Sequence, residues 1–101
     1  MVRFEWDDTK AASNAQKHGV QFEDAMLVFD DPHALVEQDR FYGGKLRWRT
    51  LGLAGGIVLL LVAHTVRDER GDEIIRIISA RKATRKERKR CDENRKEESL
   101  E

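Results

Sequence analysis

Seven consecutive residues, Ile57 to Ala63 (IVLLLVA), are apolar at every position, and this run limits the possible folds more than any other. A strand with one wet face alternates; a strand without a polar side needs cover on both faces. The wider apolar stretch, Leu51 to Ala63, is shorter than the roughly 20 residues of a membrane span and is broken by Gly52, Gly55 and Gly56. The run therefore reads as a central strand inside a layered domain, with Ala54-Gly55-Gly56 as the turn before it and His64 at its exit. A chain of 101 residues has room for one such core. A single domain is expected over residues 1–98, with 99–101 as a tail or expression remnant.

The flanking segments supply the rest of the sheet. Lys45 to Gly52 (KLRWRTLG) alternates, with Leu46, Trp48 and Thr50 on one side and Lys45, Arg47 and Arg49 on the other. Val2 to Trp6 is a short strand with Val2, Phe4 and Trp6 together. Ala34 to Glu37 and Ile74 to Ser79 are further strands. Gln38 to Gly44 reads as a polar loop and Arg67 to Asp72 as a charged turn.

Three helices are expected. Asp7 or Asp8 caps the first, which runs to His18 and stops at Gly19. Phe22, Ala25, Met26 and Phe29 have the spacing of a core-facing second helix, ended by Asp30-Asp31-Pro32. Thr84 and Glu87 form a capping box that starts a third, from about Arg85 to Glu98, with only Ala83 and Cys91 to hold it to the domain. The sum is an α+β domain: an antiparallel sheet of about four strands, two N-terminal helices on one face and a C-terminal helix.

Charge is distributed unevenly. Arg76 to Arg90 holds eight basic residues and one acid, although the chain as a whole is neutral. Cys91 is the only cysteine, which excludes an internal disulfide and suits a reducing compartment. The start, MVRFEWDD, lacks the long apolar region of a signal peptide, so a cytoplasmic location is expected.

Several site types are missing. There is no glycine-rich phosphate loop, His18, His33 and His64 lack metal-ligand spacing, and Cys91 has no histidine near it in sequence. No cofactor and no metal are expected. What remains is a basic surface: Lys45, Arg47 and Arg49 on one strand face, Arg76 on another strand, and Arg81, Lys82, Arg85 and Arg88 beyond it. Such a cluster contacts successive phosphates in a salt-sensitive way. Lys10, Asn14 and Lys17 share a helix face that is either solvated or part of this surface, and Trp48 is either core or a stacking platform.

Cleaving RNA without a metal needs a group to take the 2′-OH proton, cations for the charge on the phosphoryl oxygens, and an acid for the leaving oxygen. His64 beside the basic face is the first candidate for proton transfer, with Glu87 or Lys17 behind it. Arg47, Arg67, Arg76 and Arg81 are candidates for the cations. Composition alone does not separate a ribonuclease from a passive binder.

Three segments together, FEWDDTKAASNAQKHGVQFEDA, RWRTLG and RIISARKATRKER, resemble the BrnT family of bacterial type II toxins, in the right order over most of residues 4–90. The resemblance implies a RelE-like fold, metal-independent RNA cleavage that stops translation, and neutralisation by a BrnA-like ribbon-helix-helix antitoxin, the complex binding operator DNA. It carries Lys10, Asn14, Lys17, His18, Arg47, Arg76, Ser79, Arg81 and Glu87 onto the family's recurrent positions. The site expected from both readings has His64, Arg47, Arg67, Arg76, Arg81 and Glu87 in catalysis. Lys10, Lys17, His18, Arg49, Lys82, Arg85 and Arg88 are expected to hold RNA. The rival readings are a nucleic-acid or antitoxin-binding module without cleavage, and an interaction protein without affinity for nucleic acid.

Overall fold

Cover on both faces is what the apolar run obtains. The computed structural model of the chain describes residues 1–99; the expected remnant at Leu100-Glu101 lies outside the described residues. The order is β1 (Val2–Glu5), α1 (Asp8–His18), α2 (Phe22–Ala25), a 3₁₀ segment (Met26–Asp30), β2 (Leu35–Tyr42), β3 (Lys45–Ala54), β4 (Val58–Glu69), β5 (Asp72–Lys82) and α3 (Arg85–Ser99). On β4, Leu60 and Val62 join Val20, Phe22, Ala25, Val28, Ile77 and Ala80 beneath the N-terminal helices. Leu59 and Leu61 point the other way and meet Leu51 and Cys91. Ile57 stands outside this strand, 83% exposed in the preceding turn.

The sheet corrects the expectation of about four antiparallel strands. It has five, in the order β1-β5-β4-β3-β2, and it is mixed, because β1 lies parallel to β5 with Val2 opposite Glu73 and Glu5 opposite Arg76. Hairpins carry a local signal in their turns, whereas a parallel partner about seventy residues away leaves none. The strands are also longer than expected. β2 continues to Tyr42 where a polar loop was read, and the charged turn shrinks to Arg70-Gly71, both at positive φ (53° and 85°), as a tight hairpin requires.

The second helix is shorter than its pattern. After Ala25 the backbone tightens to 3₁₀ winding through Asp30, so the core positions repeat every three residues. Phe22, Ala25 and Val28 are all fully buried, while Met26 and Phe29 pack only partly. Asp31 fixes the exit, accepting from the backbone N–H of His33 at 3.0 Å and of Leu53 at 2.8 Å. Gly52, inside β3, lets this segment approach: a β-carbon there would lie 3.0 Å from Val28 and 3.1 Å from Ala34.

The helix ends form as their sequences predict. Asp7 accepts from the Lys10 N–H at 3.0 Å, and Gly19 takes the left-handed C-terminal position at φ 69°. At α3, the Thr84 hydroxyl accepts from the Glu87 N–H at 3.2 Å while the Glu87 carboxylate accepts from the Thr84 N–H at 2.8 Å. Cys91, 1% exposed, seats this helix on the sheet.

Candidate active site

Side chains alternate along a strand, so register decides which cations meet. Val62, His64 and Ile77 belong to the face under the N-terminal helices, and Trp48 pairs with His64. Arg47 and Arg49 on β3, Arg67 on β4 and Arg76 on β5 therefore leave by the opposite face. Arg81, paired with Leu61, joins them beyond the register shift that follows Ala63. Ala63 and Thr65 lie between these arginines on β4, opposite Ser79 and Arg76. Small side chains thus lie between five guanidinium groups on this face, a strip called the trough below, and Cys91 of α3 packs at its end with Leu51 and Leu61.

Carboxylates organise the rim. Glu5 on β1 accepts from Arg67 through both its oxygens, at 2.8 and 3.0 Å, and from Arg76 at 2.8 Å. These bonds to two cations, Arg67 first, hold the Glu5 carboxyl down at about 2. Arg67 also reaches Glu69 at 3.2 Å. Glu37 receives Arg90 at 2.9 Å and Arg49 at 3.5 Å, and the Arg49 Nε is buried without a partner among the described residues. Arg81 grips Glu87 at 2.8 and 3.0 Å, which with the capping bonds holds that carboxyl at about 2.

Two candidates for proton transfer occupy unexpected surroundings. His64 is not at a strand exit: β4 continues five residues past it, and the ring is 2% exposed on the core face, edge-on to Phe29 at 4.9 Å. Its Nε2 is 2.7 Å from the Thr50 hydroxyl, and its Nδ1 is buried without a hydrogen-bond partner among the described residues. Burial pushes its pKa down to about 4, so the ring is neutral at physiological pH and turned away from the trough. The apolar run hid this, since continuing β4 beyond Ala63 required knowing that Thr65 and Arg67 pair with β5. Glu87 is committed to the cap and to Arg81.

The α1 residues form a separate patch. Lys10, Ser13, Lys17, His18 and Ser79 line a shallow groove where β5 continues past the end of β1. Asn14 lies beneath it, 6% exposed: its amide nitrogen donates to the carbonyls of Val20 (3.0 Å) and Ala80 (2.8 Å), and its oxygen accepts from the Ala80 N–H at 3.1 Å. Asn14 is thus a clamp between α1 and β5. Lys82 and Arg88 flank another groove, with Leu53, Ile57 and Val58, and Arg85 is exposed in the first turn of α3. Trp6 packs edge-on against Phe22 at 5.9 Å. Among the described residues no three His, Cys, Asp or Glu side chains gather as a metal-binding group, and no helix is long and apolar enough to cross a membrane.

Glu5 was absent from the expected site. Its one sequence signal is position, between Phe4 and Trp6 and so on the side of β1 that turns from the core.

A family model described as the ribonuclease toxin BrnT of type II toxin–antitoxin systems matches residues 6–87. The fold is similar to that in the 1.1 Å crystal structure of the Brucella abortus ribonuclease toxin BrnT, at a TM-score of 0.59 and 21% identity, over 84% of this chain and 100% of that one. No curated protein matches the sequence.

Proposed function

The chain belongs to the BrnT family of ribonuclease toxins of type II toxin–antitoxin systems, and from that premise we propose that its arginine-rimmed trough cleaves RNA without a metal ion and thereby stops translation. The observation that carries this reading is the convergence of Arg47, Arg49, Arg67, Arg76 and Arg81 on one sheet face around Ala63 and Thr65. Guanidinium forks placed before the reaction stabilise charge that builds on a phosphoryl group, the task a metal ion performs in other nucleases. Arg76 is the central contact: among the described residues one of its donors is engaged, with Glu5. Lys10, Lys17 and His18 guide the strand along the groove at α1, and Lys82, Arg85 and Arg88 hold it near α3. The layout is read as a RelE-like variant, and the site of action as the cytoplasm. A BrnA-like ribbon-helix-helix antitoxin neutralises the toxin, and the pair binds operator DNA.

The test is incubation of the purified chain with end-labelled RNA in EDTA, with and without co-expressed antitoxin. Fragments ending in 2′,3′-cyclic phosphate that vanish with antitoxin are expected. Intact RNA that is still retained by the protein in a salt-dependent way would replace this reading with a binding module.

A further inference from the structure

Resting on the ribonuclease reading above, we propose that Glu5 is the general base of the reaction, taking the 2′-OH proton while Arg67 and Arg76 hold the phosphate beside it. Three features of the site support this. First, Glu5 and Arg76 are register partners on adjoining strands, and Thr65 on the trough floor pairs with that same Arg76. A phosphate drawn to Arg76 at the floor therefore arrives next to the Glu5 carboxylate.

Second, the carboxylate keeps room for a proton. Its Oε2 accepts from Arg67 and from Arg76, whereas Oε1, among the described residues, accepts from Arg67 alone. An ionised carboxylate has about four lone-pair sites, two on each oxygen, so Oε1 retains one. The side chain is 33% exposed, and an incoming hydroxyl can reach it.

Third, its basicity rises when needed. In the free chain the two guanidinium groups hold the carboxyl well below its usual range. A phosphodiester that draws hydrogen bonds from Arg67 and Arg76 weakens that hold and raises the proton affinity of Glu5 in the loaded site. The proton of the 2′-OH moves to Oε1 as the 2′-oxygen bonds to phosphorus. The bond from phosphorus to the 5′-oxygen then breaks, and that oxygen takes a proton from solvent. The products are a 2′,3′-cyclic phosphate and a 5′-hydroxyl, with the phosphorane charge met by Arg67 and Arg76.

The charged groups around Glu5 are Arg67 and Arg76 in contact, Glu69 on the far side of Arg67, and Arg3 with Asp72 along β1. The decisive comparison sets the native chain beside Glu5→Gln, using a cleavable RNA oligonucleotide and its 2′-deoxy analogue. The amide still accepts a hydrogen bond but takes no proton. The expected result is a fall in kcat of about 100-fold or more, with KM and the Kd for the deoxy analogue within about threefold of native. The variant's residual rate also rises about tenfold per pH unit between roughly pH 6 and 8 as hydroxide substitutes, while the native rate is flat there. A variant that cleaves like the native chain overturns the assignment. One that loses affinity for the deoxy analogue along with cleavage overturns it too, making Glu5 a scaffold for the arginines. RNA left whole by the native chain overturns the ribonuclease reading, and the assignment with it.

Discussion

Arg81 holds Glu87 with both arms of its guanidinium, at 2.8 and 3.0 Å, and so ties the end of β5 to the first turn of α3. The same carboxylate closes the capping box with Thr84. Thr84→Ala is expected to cost about 1 kcal/mol. Glu87→Ala costs more, since it removes the cap and takes from Arg81 its carboxylate partner. Urea unfolding together with far-ultraviolet circular dichroism checks both; equal stability of Glu87→Ala and the native chain would contradict the arrangement.

Arg76→Ala is expected to lower RNA cleavage by about 100-fold or more, and to relieve toxicity in growing cells, while the thermal midpoint moves by only a few degrees. Arg76 is partly exposed and its ion pair with Glu5 is at the surface, where such pairs contribute about 0–1 kcal/mol. Arg81→Ala is a poorer probe of catalysis, because it also cuts the tie between β5 and the first turn of α3. Paired kinetics and melting curves for the two variants separate the effects.

Acid should act in two steps. The His64 pKa is lowered from 6.5 to about 4, so below pH 6.5 the unfolded chain takes a proton that the folded one refuses. Stability is whole above pH 6.5 and declines toward pH 4, by about 3 kcal/mol at most. Glu5 and Glu87, lowered from 4.5 to about 2, act next: their contribution is whole above pH 4.5 and is lost as pH falls toward 2. Denaturation measured against pH in native chain and His64→Gln checks this, the upper window disappearing in the variant.

Asn14→Ala leaves the carbonyls of Val20 and Ala80 and the Ala80 N–H without their partner in a buried place. A loss of about 2–3 kcal/mol is expected by chemical denaturation. Asn14→Asp keeps the shape but brings a buried charge and no donor, and is expected to do no better.

Gly52→Ala is expected to cost about 1–3 kcal/mol, because the new methyl group meets Val28, Ala34 and the Asp31 carboxylate at 3.0, 3.1 and 3.2 Å. Thermal melting measures it. Ala34→Gly in the same chain should recover part of the loss, since it removes one of those contacts.

These residues also show what the sequence made legible. The capping box, the Asp7 and Gly19 helix ends, the double cover of β4 and the split of KLRWRTLG into arginine and core faces each depend on neighbours within a few positions, and all are found. The parallel pairing of β1 depends on residues far apart in the chain and leaves no periodic trace. His64 was misplaced because nothing local marks where β4 ends. The spacing of Phe22, Ala25, Met26 and Phe29 points to an α-helix, whereas the backbone winds as 3₁₀ from Met26 and buries Phe22, Ala25 and Val28. Glu5 lies 62 residues from Arg67 and 71 from Arg76, so their meeting exists only in the folded sheet.

The ion pairs of the trough have a kinetic consequence. With Glu5, Glu37, Glu69 and Glu87 seated on Arg49, Arg67, Arg76, Arg81 and Arg90, part of the charge of these guanidinium groups is met within the face, and their share of the long-range steering that accelerates encounters with nucleic acid is reduced. Capture then waits for a phosphate close enough to exchange with a carboxylate. On this face selectivity is set at contact range, while Lys82, Arg85 and Arg88 beside it carry the salt-sensitive attraction.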